Sequence, residues 1–329
     1  MRAFANANPR DMREAARVSQ KAVRGGQKAA FAGGGSDLLG MMKEHLVTPD
    51  VLVHLKAIPG MDKVESANGG VTIGGLITLT ALSRDPLIRA LYPVLSEAAD
   101  SVATPQIRNV GTLAGNVCQR PWCWYFRNGF PCFKAGGNQC FSAAGENQFH
   151  AIFGGGPSFI VHPSDTAPAL VALDAKFHIV GPSGERTLSA SEFFTLPKEN
   201  PARENALAEN EVLASVTLPA SSPAARSTYY KVLDREAWTH AVVSVAVVLR
   251  IEGDICRSAR IVLGGVAPIP WRVPAAEQAL MGQRVTPELA AQSAKAALAG
   301  ATPLAKNKYK VPLTEEIVKR TVSSLANRS

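Results

Sequence analysis

Apolar positions along the first third of the chain switch between strand and helix periods. A strand at Arg2–Ala5 is followed by a helix from Pro9 to about Ala22, with Pro9 suited to the first turn and Gly25-Gly26 ending it, then by a strand at Lys28–Ala32. Beyond Gly33–Gly35, the residues Leu38, Met41, Met42 and Leu46 keep helical spacing, and Val51–Leu55 completes a strand–helix–strand unit. Strands at Lys63–Ser66 and Val71–Ile73 open a second segment, with helical runs at Thr80–Ala90 and Val94–Ala99. Periodicity lapses from Gly111 to Gly156, then returns as a helix at Thr166–Leu173 and strands at Lys176–Val180 and Glu211–Leu218, with a Pro- and Asn-rich surface stretch around Leu196–Asn210. Pro219–Arg226 reads as a linker. Tyr229–Asp234, Ala241–Glu252 and Ser258–Gly264 then predict a three-stranded antiparallel meander turning at Glu252–Asp254, covered by helices Ala275–Leu280, Thr286–Ala299 and Thr314–Asn327. The pattern predicts an α+β protein with domains at 1–218 and 226–329, the first divided at about residue 59 and carrying an insert at about 117–156.

Composition narrows the class. With 329 residues, 46% of them hydrophobic, the chain can bury a large core, which excludes disorder, collagen and a minimal disulfide scaffold. The formal charge of +8 is scattered without a run of five basic residues, so no nucleic-acid partner is expected. Lys306, Lys308 and Lys310 are expected on a solvated or inter-subunit surface. The stretch Ala237–Leu249 is too short to span a bilayer and is interrupted by Thr239, His240 and Ser244, so a soluble chain with no membrane span is expected. The first 25 residues contain Asp11 and Glu14 and no continuous apolar segment; no secretory signal is read there. The expected location is cytoplasmic, or periplasmic by co-export with a signal-bearing partner.

Three loops carry candidate chemistry. Ala32-Gly33-Gly34-Gly35-Ser36-Asp37-Leu38 joins a strand to a helix, where successive backbone N–H groups can hold a phosphate. It is neither a Rossmann fingerprint, since position 38 is Leu, nor a P-loop, since no Gly-Lys-Ser/Thr follows. Asn109–Asn116 again combines small residues with the donors Thr112 and Asn116, and two such loops can grip a pyrophosphate from both sides. A bulky side chain at Gly34 is expected to fill the pyrophosphate's path. His162-Pro163-Ser164-Asp165-Thr166 resembles a helix start capped by Ser164 or Asp165.

Cys118, Cys123, Cys132 and Cys140 fall within 23 residues, whereas Cys256 stands apart. A chain with a good core and no signal peptide does not call for disulfides. The spacing also lacks the C-x₂-C knuckle usual in structural zinc sites. Spacing alone leaves the question open. Eight of the chain's 21 aromatic residues lie between Trp122 and Phe149, however, and a low-polarity shell suits an iron–sulfur cluster. His150, ten residues past Cys140, and Cys118 compete for the fourth ligand position.

Ala32–Leu39 (AGGGSDLL), Thr112–Asn116 (TLAGN) and His162–Leu170 (HPSDTAPAL) together resemble the FAD-binding medium subunit of the molybdenum hydroxylases, the xanthine dehydrogenase, carbon monoxide dehydrogenase and aldehyde oxidoreductase family. The resemblance covers nearly the whole chain. It implies an FAD-binding fold of the p-cresol methylhydroxylase and vanillyl-alcohol oxidase type followed by a C-terminal sheet domain. Ala32, Gly33, Gly34, Gly35, Ser36, Asp37 and Leu38, with Thr112, Gly115 and Asn116, would hold FAD. Ser164 lies in the third motif, Asp165 would bond the ribose or adenine side, and Lys231 would approach the isoalloxazine. The insert resembles the branch whose medium subunit carries an additional [4Fe–4S] cluster, as in hydroxybenzoyl-CoA reductase. By that resemblance Cys123, Cys132 and Cys140 match three ligands and His150 stands about where a further cysteine falls, ahead of Cys118. The implied partners are a molybdenum-cofactor large subunit where substrate chemistry occurs, a small [2Fe–2S] subunit and an external electron acceptor, with no catalytic residue in this chain.

Two other readings compete. A self-sufficient FAD oxidase of the same fold would need an acid or base at the flavin, and neither His54 nor His240 sits beside another titratable group in a fitting loop. A zinc-stabilised, non-enzymatic binding module would be colourless and bind in a salt-sensitive way.

Overall fold

A computed structural model describes residues 1–67, 69–235 and 239–327 of the chain. Ala237, which opens the apolar stretch noted above, lies outside them. Among the described residues no helix is long and apolar enough to cross a membrane.

Three sheets organise the chain. β1 (Ala5–Ala7), β2 (Ala29–Ala32) and β3 (Val51–His54) form a parallel sheet in the order β1-β3-β2. Between β1 and β2 runs a helix, Met12–Arg24, which turns Met12, Ala15, Ala16, Ser19 and Ala22 inward at helical spacing. It begins after Asp11 rather than at Pro9, because the Asp11 carboxylate accepts from Glu14 N at 2.7 Å and so caps the helix.

The second sheet is antiparallel. Its strands are β4 (Val64–Ala67), β5 (Gly70–Gly74), β6 (Lys176–Gly181), β7 (Gly184–Ser189) and β8 (Val212–Leu218), in the order β4-β5-β8-β6-β7. β7 is an exposed edge strand without apolar alternation, so the sequence pattern does not announce it. The helical run expected over Thr80–Ala90 is two helices, Leu79–Arg84 and Pro86–Leu91. Pro86 holds Asp85 extended, and Asp85 Oδ1 caps the second helix by accepting from Leu87 N and Ile88 N. The face of this sheet, these helices and Thr166–Ala172 enclose the largest core, including Ile73, Leu95, Leu113, Leu170, Phe177 and Phe193.

β9 (Ala225–Val232), β10 (Val243–Glu252) and β11 (Ile255–Gly264) form the expected antiparallel meander. The sheet is nevertheless four-stranded rather than three-stranded, because the two-residue β12 (Trp271–Arg272) pairs with β11. Helices Pro274–Leu280, Pro287–Ala296 and Lys310–Ala326 cover it and bury a second core around Val245, Leu249, Ile261, Val318 and Leu325. The last helix buries Lys310, Thr314, Ile317, Val318, Thr321, Val322 and Leu325. Lys310 therefore lies on a buried helix face, not on the surface expected for the basic tract.

Candidate functional site

The two glycine-rich loops touch. A Cβ at Gly34 would stand 1.8 Å from the Val110 carbonyl oxygen, and one at Gly33 2.8 Å from Thr112 Oγ1. Gly34 is thus required by contact with the second loop, which corrects the expectation that its side-chain direction points into a pyrophosphate's path. Gly35 has φ of 74°, a conformation natural to glycine, and completes the turn. Thr112 caps the short helix Leu113–Val117 through Gly115 N at 3.2 Å.

The third loop is tied to the second. Asn116 Oδ1 accepts from Ser164 Oγ at 2.6 Å and from Thr166 Oγ1 at 2.7 Å. Ser164 Oγ in turn accepts from Ala167 N at 3.0 Å, so Ser164 rather than Asp165 caps the following helix with its side chain.

A cavity of about 570 Å³ lies beside these loops. Ala32 to Leu38, Thr112, Gly115, Asn116 and Asp165 line it, as do Cys118, Cys123 and His150. Ser164 and Lys231 are not among its lining residues. Lys231 is instead turned onto Asp165, with Nζ 2.7 Å from Oδ2 and 3.0 Å from the Ser101 carbonyl oxygen, and the pair is almost wholly buried. Tyr229 donates to Asp165 Oδ1 at 2.7 Å. Both carboxylate oxygens therefore accept from strand β9 while Asp165 still lines the cavity, and Lys231 is turned onto Asp165 rather than into the cavity. Asp37 is likewise engaged. It accepts from Arg127 at 2.8 Å and from Arg120 N at 3.3 Å, fastening the first loop to the insert.

In the insert, Cys123, Cys132 and Phe141 share one apolar cluster with Met41 and Phe126. His150 Nε2 is 3.3 Å from Cys123 Sγ. Cys140 Sγ receives Phe159 N at 3.5 Å and lies 3.1 Å from Ser142 Oγ. Burial, and then the neighbouring Cys140 and Cys132, push the Cys123 thiol up to about 11 against hydrogen bonds from Phe126 and Tyr125 that lower it. Cys118 instead packs against the main core, and burial takes its thiol to about 12. All five cysteines are free. No three His, Cys, Asp or Glu side chains among the described residues are grouped closely enough for a single metal ion.

Several residues at the site were not singled out from sequence. Arg120 and Lys134 converge on Glu204, at 2.9 and 3.0 Å. Arg127 stacks over Trp122, its guanidinium carbon 4.2 Å from the ring centroid. Basic residues interleaved with Trp122 and Phe126 were the available signal. His240 lines the cavity and packs on Trp122, and burial lowers its pKa.

Comparison with known proteins agrees with this geometry. Residues 2–221 match the FAD binding domain in molybdopterin dehydrogenase, and residues 228–325 match the CO dehydrogenase flavoprotein C-terminal domain. The aldehyde oxidoreductase FAD-binding subunit PaoB of Escherichia coli (strain K12) is 37% identical over 306 residues, covering 90% of each chain. The carbon monoxide dehydrogenase medium chain of Hydrogenophaga pseudoflava is 28% identical over 304 residues, covering 91% of this chain and 90% of its own. The solved carbon monoxide dehydrogenase from Hydrogenophaga pseudoflava that lacks the Mo-pyranopterin moiety superposes with a TM-score of 0.78 at 27% identity, over 98% of this chain and 97% of that one. The chain belongs to the FAD-binding medium subunits of the molybdenum hydroxylase family, a family of oxidoreductases.

Proposed function

We propose that this chain is the FAD- and [4Fe–4S]-bearing electron-transfer subunit of a heteromeric, molybdenum-dependent aldehyde oxidoreductase. Its FAD-binding part spans 1–218 with the cluster insert at about 117–156, and its C-terminal domain spans 226–329. One observation carries the reading: a single cavity is lined by the two touching glycine-rich loops and by Cys123 and His150. When bound, FAD exchanges electrons singly or in pairs, and a cluster of this kind exchanges them singly.

The residues fit both groups. Backbone N–H groups of Gly33 to Ser36 and of the Thr112–Asn116 turn would hold the pyrophosphate. The Asp165–Lys231–Tyr229 network supports the third loop from behind. Cys123, Cys132, Cys140 and His150 would hold the cluster. Cys123 and Cys132 share one apolar cluster, His150 faces Cys123, and Phe159 N–H with Ser142 supplies hydrogen bonding at the Cys140 sulfur. His150 is favoured over Cys118 because it faces Cys123, whereas Cys118, though it also lines the cavity, packs against the main core. His240 and Arg127 both pack on Trp122 at the cavity wall.

No acid or base for substrate chemistry is needed here. The substrate would be handled on a molybdenum-cofactor large subunit, with a small [2Fe–2S] subunit between it and this chain and an external acceptor beyond. The aldehyde class rests on the resemblance to the Escherichia coli subunit. The test is an anaerobic absorption spectrum with flavin, iron and zinc assayed on one sample. Expected are one FAD and about four irons per chain, with Cys132→Ser and Cys140→Ser losing iron while keeping much of the FAD. A zinc-loaded, iron-free protein, or variants with undiminished iron, would overturn the reading.

A further inference from the structure

Among the described residues three lysine side chains are almost wholly covered, and two of them face a carboxylate: Lys134 meets Glu204 at 3.0 Å and Lys231 meets Asp165 at 2.7 Å. The third, Lys310, is 0% exposed and opens the last helix. Its Nζ donates to the carbonyl oxygens of Gly265 at 2.6 Å and Phe149 at 2.9 Å, and no carboxylate pairs with it among the described residues. Burial alone brings its pKa down to about 7. An ammonium taken out of water without an anion is costly, so Lys310 stays fully charged at neutral pH only when a negative charge is bound nearby.

Phe149, whose carbonyl oxygen accepts from Lys310, immediately precedes His150 in the chain. The His150 imidazole faces Cys123. Neighbours of Lys310 fasten the same loop. Asn307 Nδ2 donates to the carbonyl oxygens of His150 and Ala151 at 3.0 and 3.2 Å, Tyr309 donates to the Gln148 carbonyl oxygen at 2.9 Å, and Lys306 N donates to Asn147 Oδ1 at 2.9 Å.

We infer that Lys310 is the buried counter-charge of the cluster site, a positioning residue contributed by the C-terminal domain that raises the cluster's reduction potential. The inference rests on the [4Fe–4S] reading above. A cluster held by three thiolates and a neutral imidazole is anionic, and gaining one electron adds one more negative charge. A fixed cation beside it favours the reduced form.

The test is an EPR-monitored redox titration of the full-length chain, purified anaerobically with its partner subunits, as wild type and as Lys310→Met, Lys310→Gln and Lys310→Arg. The neutral variants should lower the reduced-to-oxidised ratio at a fixed potential about tenfold, about 59 mV for a one-electron couple. Lys310→Arg should return toward wild type. Unchanged potential in an iron-replete Lys310→Met or Lys310→Gln protein overturns the inference. Should both neutral variants lose their iron, Lys310→Arg decides: iron retained supports the counter-charge, and iron lost in all three assigns Lys310 to packing and overturns it. Absence of a [4Fe–4S] signal beyond those of the [2Fe–2S] subunit in wild type fails the cluster reading itself, a result distinct from an unchanged potential.

Discussion

Gly34→Ala is the sharpest perturbation of the cofactor site, because one methyl group is set directly against the second loop. The added Cβ would lie 1.8 Å from the Val110 carbonyl oxygen and 2.5 Å from its carbon, where real Cβ contacts do not fall below 3.0 Å. The loops must therefore part by about 1.2 Å, and the obstacle is backbone rather than a side chain able to swing away. Overpacking of this kind costs about 1–3 kcal/mol. If the parting also removes one backbone hydrogen bond to a phosphate, worth about 1.5–3 kcal/mol, FAD affinity falls roughly 10- to 100-fold. Gly40→Ala is the internal control: it lies six residues on, inside a helix, with nothing within 4 Å of its Cβ. That change should be neutral or stabilising by about 0.5–1 kcal/mol. Titration of flavin-stripped protein with FAD, followed by flavin fluorescence, measures the affinities, and urea unfolding measures the stabilities. Wild-type FAD affinity and unfolding midpoint in Gly34→Ala would refute the argument that the two loops act as one grip.

Lys231→Met leaves Asp165 buried without its cation and should destabilise by about 3–5 kcal/mol, whereas Asp165→Asn combined with Lys231→Met should recover much of the loss; equal urea midpoints for the single and double variants would count against a buried ion pair. His162 is buried, with Nδ1 accepting from Ser164 N at 3.3 Å, and burial followed by the charge of Lys134 takes its pKa down to about 3. Because the unfolded chain binds this proton below about pH 6.5 and the folded chain does not, stability falls on acidification through that range by about 1.4 kcal/mol per pH unit from this group. His162→Gln should flatten the slope between pH 7 and pH 5, and parallel slopes in wild type and variant would refute it.

The parts of the site that sequence made legible are those encoded by short-range pattern. Gly33–Gly35 and Thr112–Asn116 announce themselves because tight turns and caps demand particular residue types over a few positions. Partnership across the fold is different. Lys231 attracts attention as a charge near a cofactor, yet what positions it is Asp165, 66 residues away. A signal was present, since Tyr229 and Lys231 stand two apart on β9 and so project to one face, where both meet Asp165. Lys310 was hidden by its neighbours Lys306 and Lys308. Its spacing to Thr314, and on to Ile317, Thr321 and Leu325, places it on the buried stripe of the last helix, which periodicity could have identified. β7 and β12 escape for a physical reason: an exposed edge strand and a two-residue strand carry too little apolar alternation to register.

The fastening of the insert by Lys306–Lys310 also bears on the order in which the molecule is made. Phe149 and Lys310 are 161 positions apart. At about 5–20 residues per second, the insert leaves the ribosome roughly 8–32 s before the lysine that holds it. During that interval Cys123, Cys132 and Cys140 are present while the loop bearing His150 is still unfastened. Fastening of the loop bearing His150 therefore waits for the segment 306–310, and a chain halted before it would contain every candidate ligand without the bonds that hold that loop.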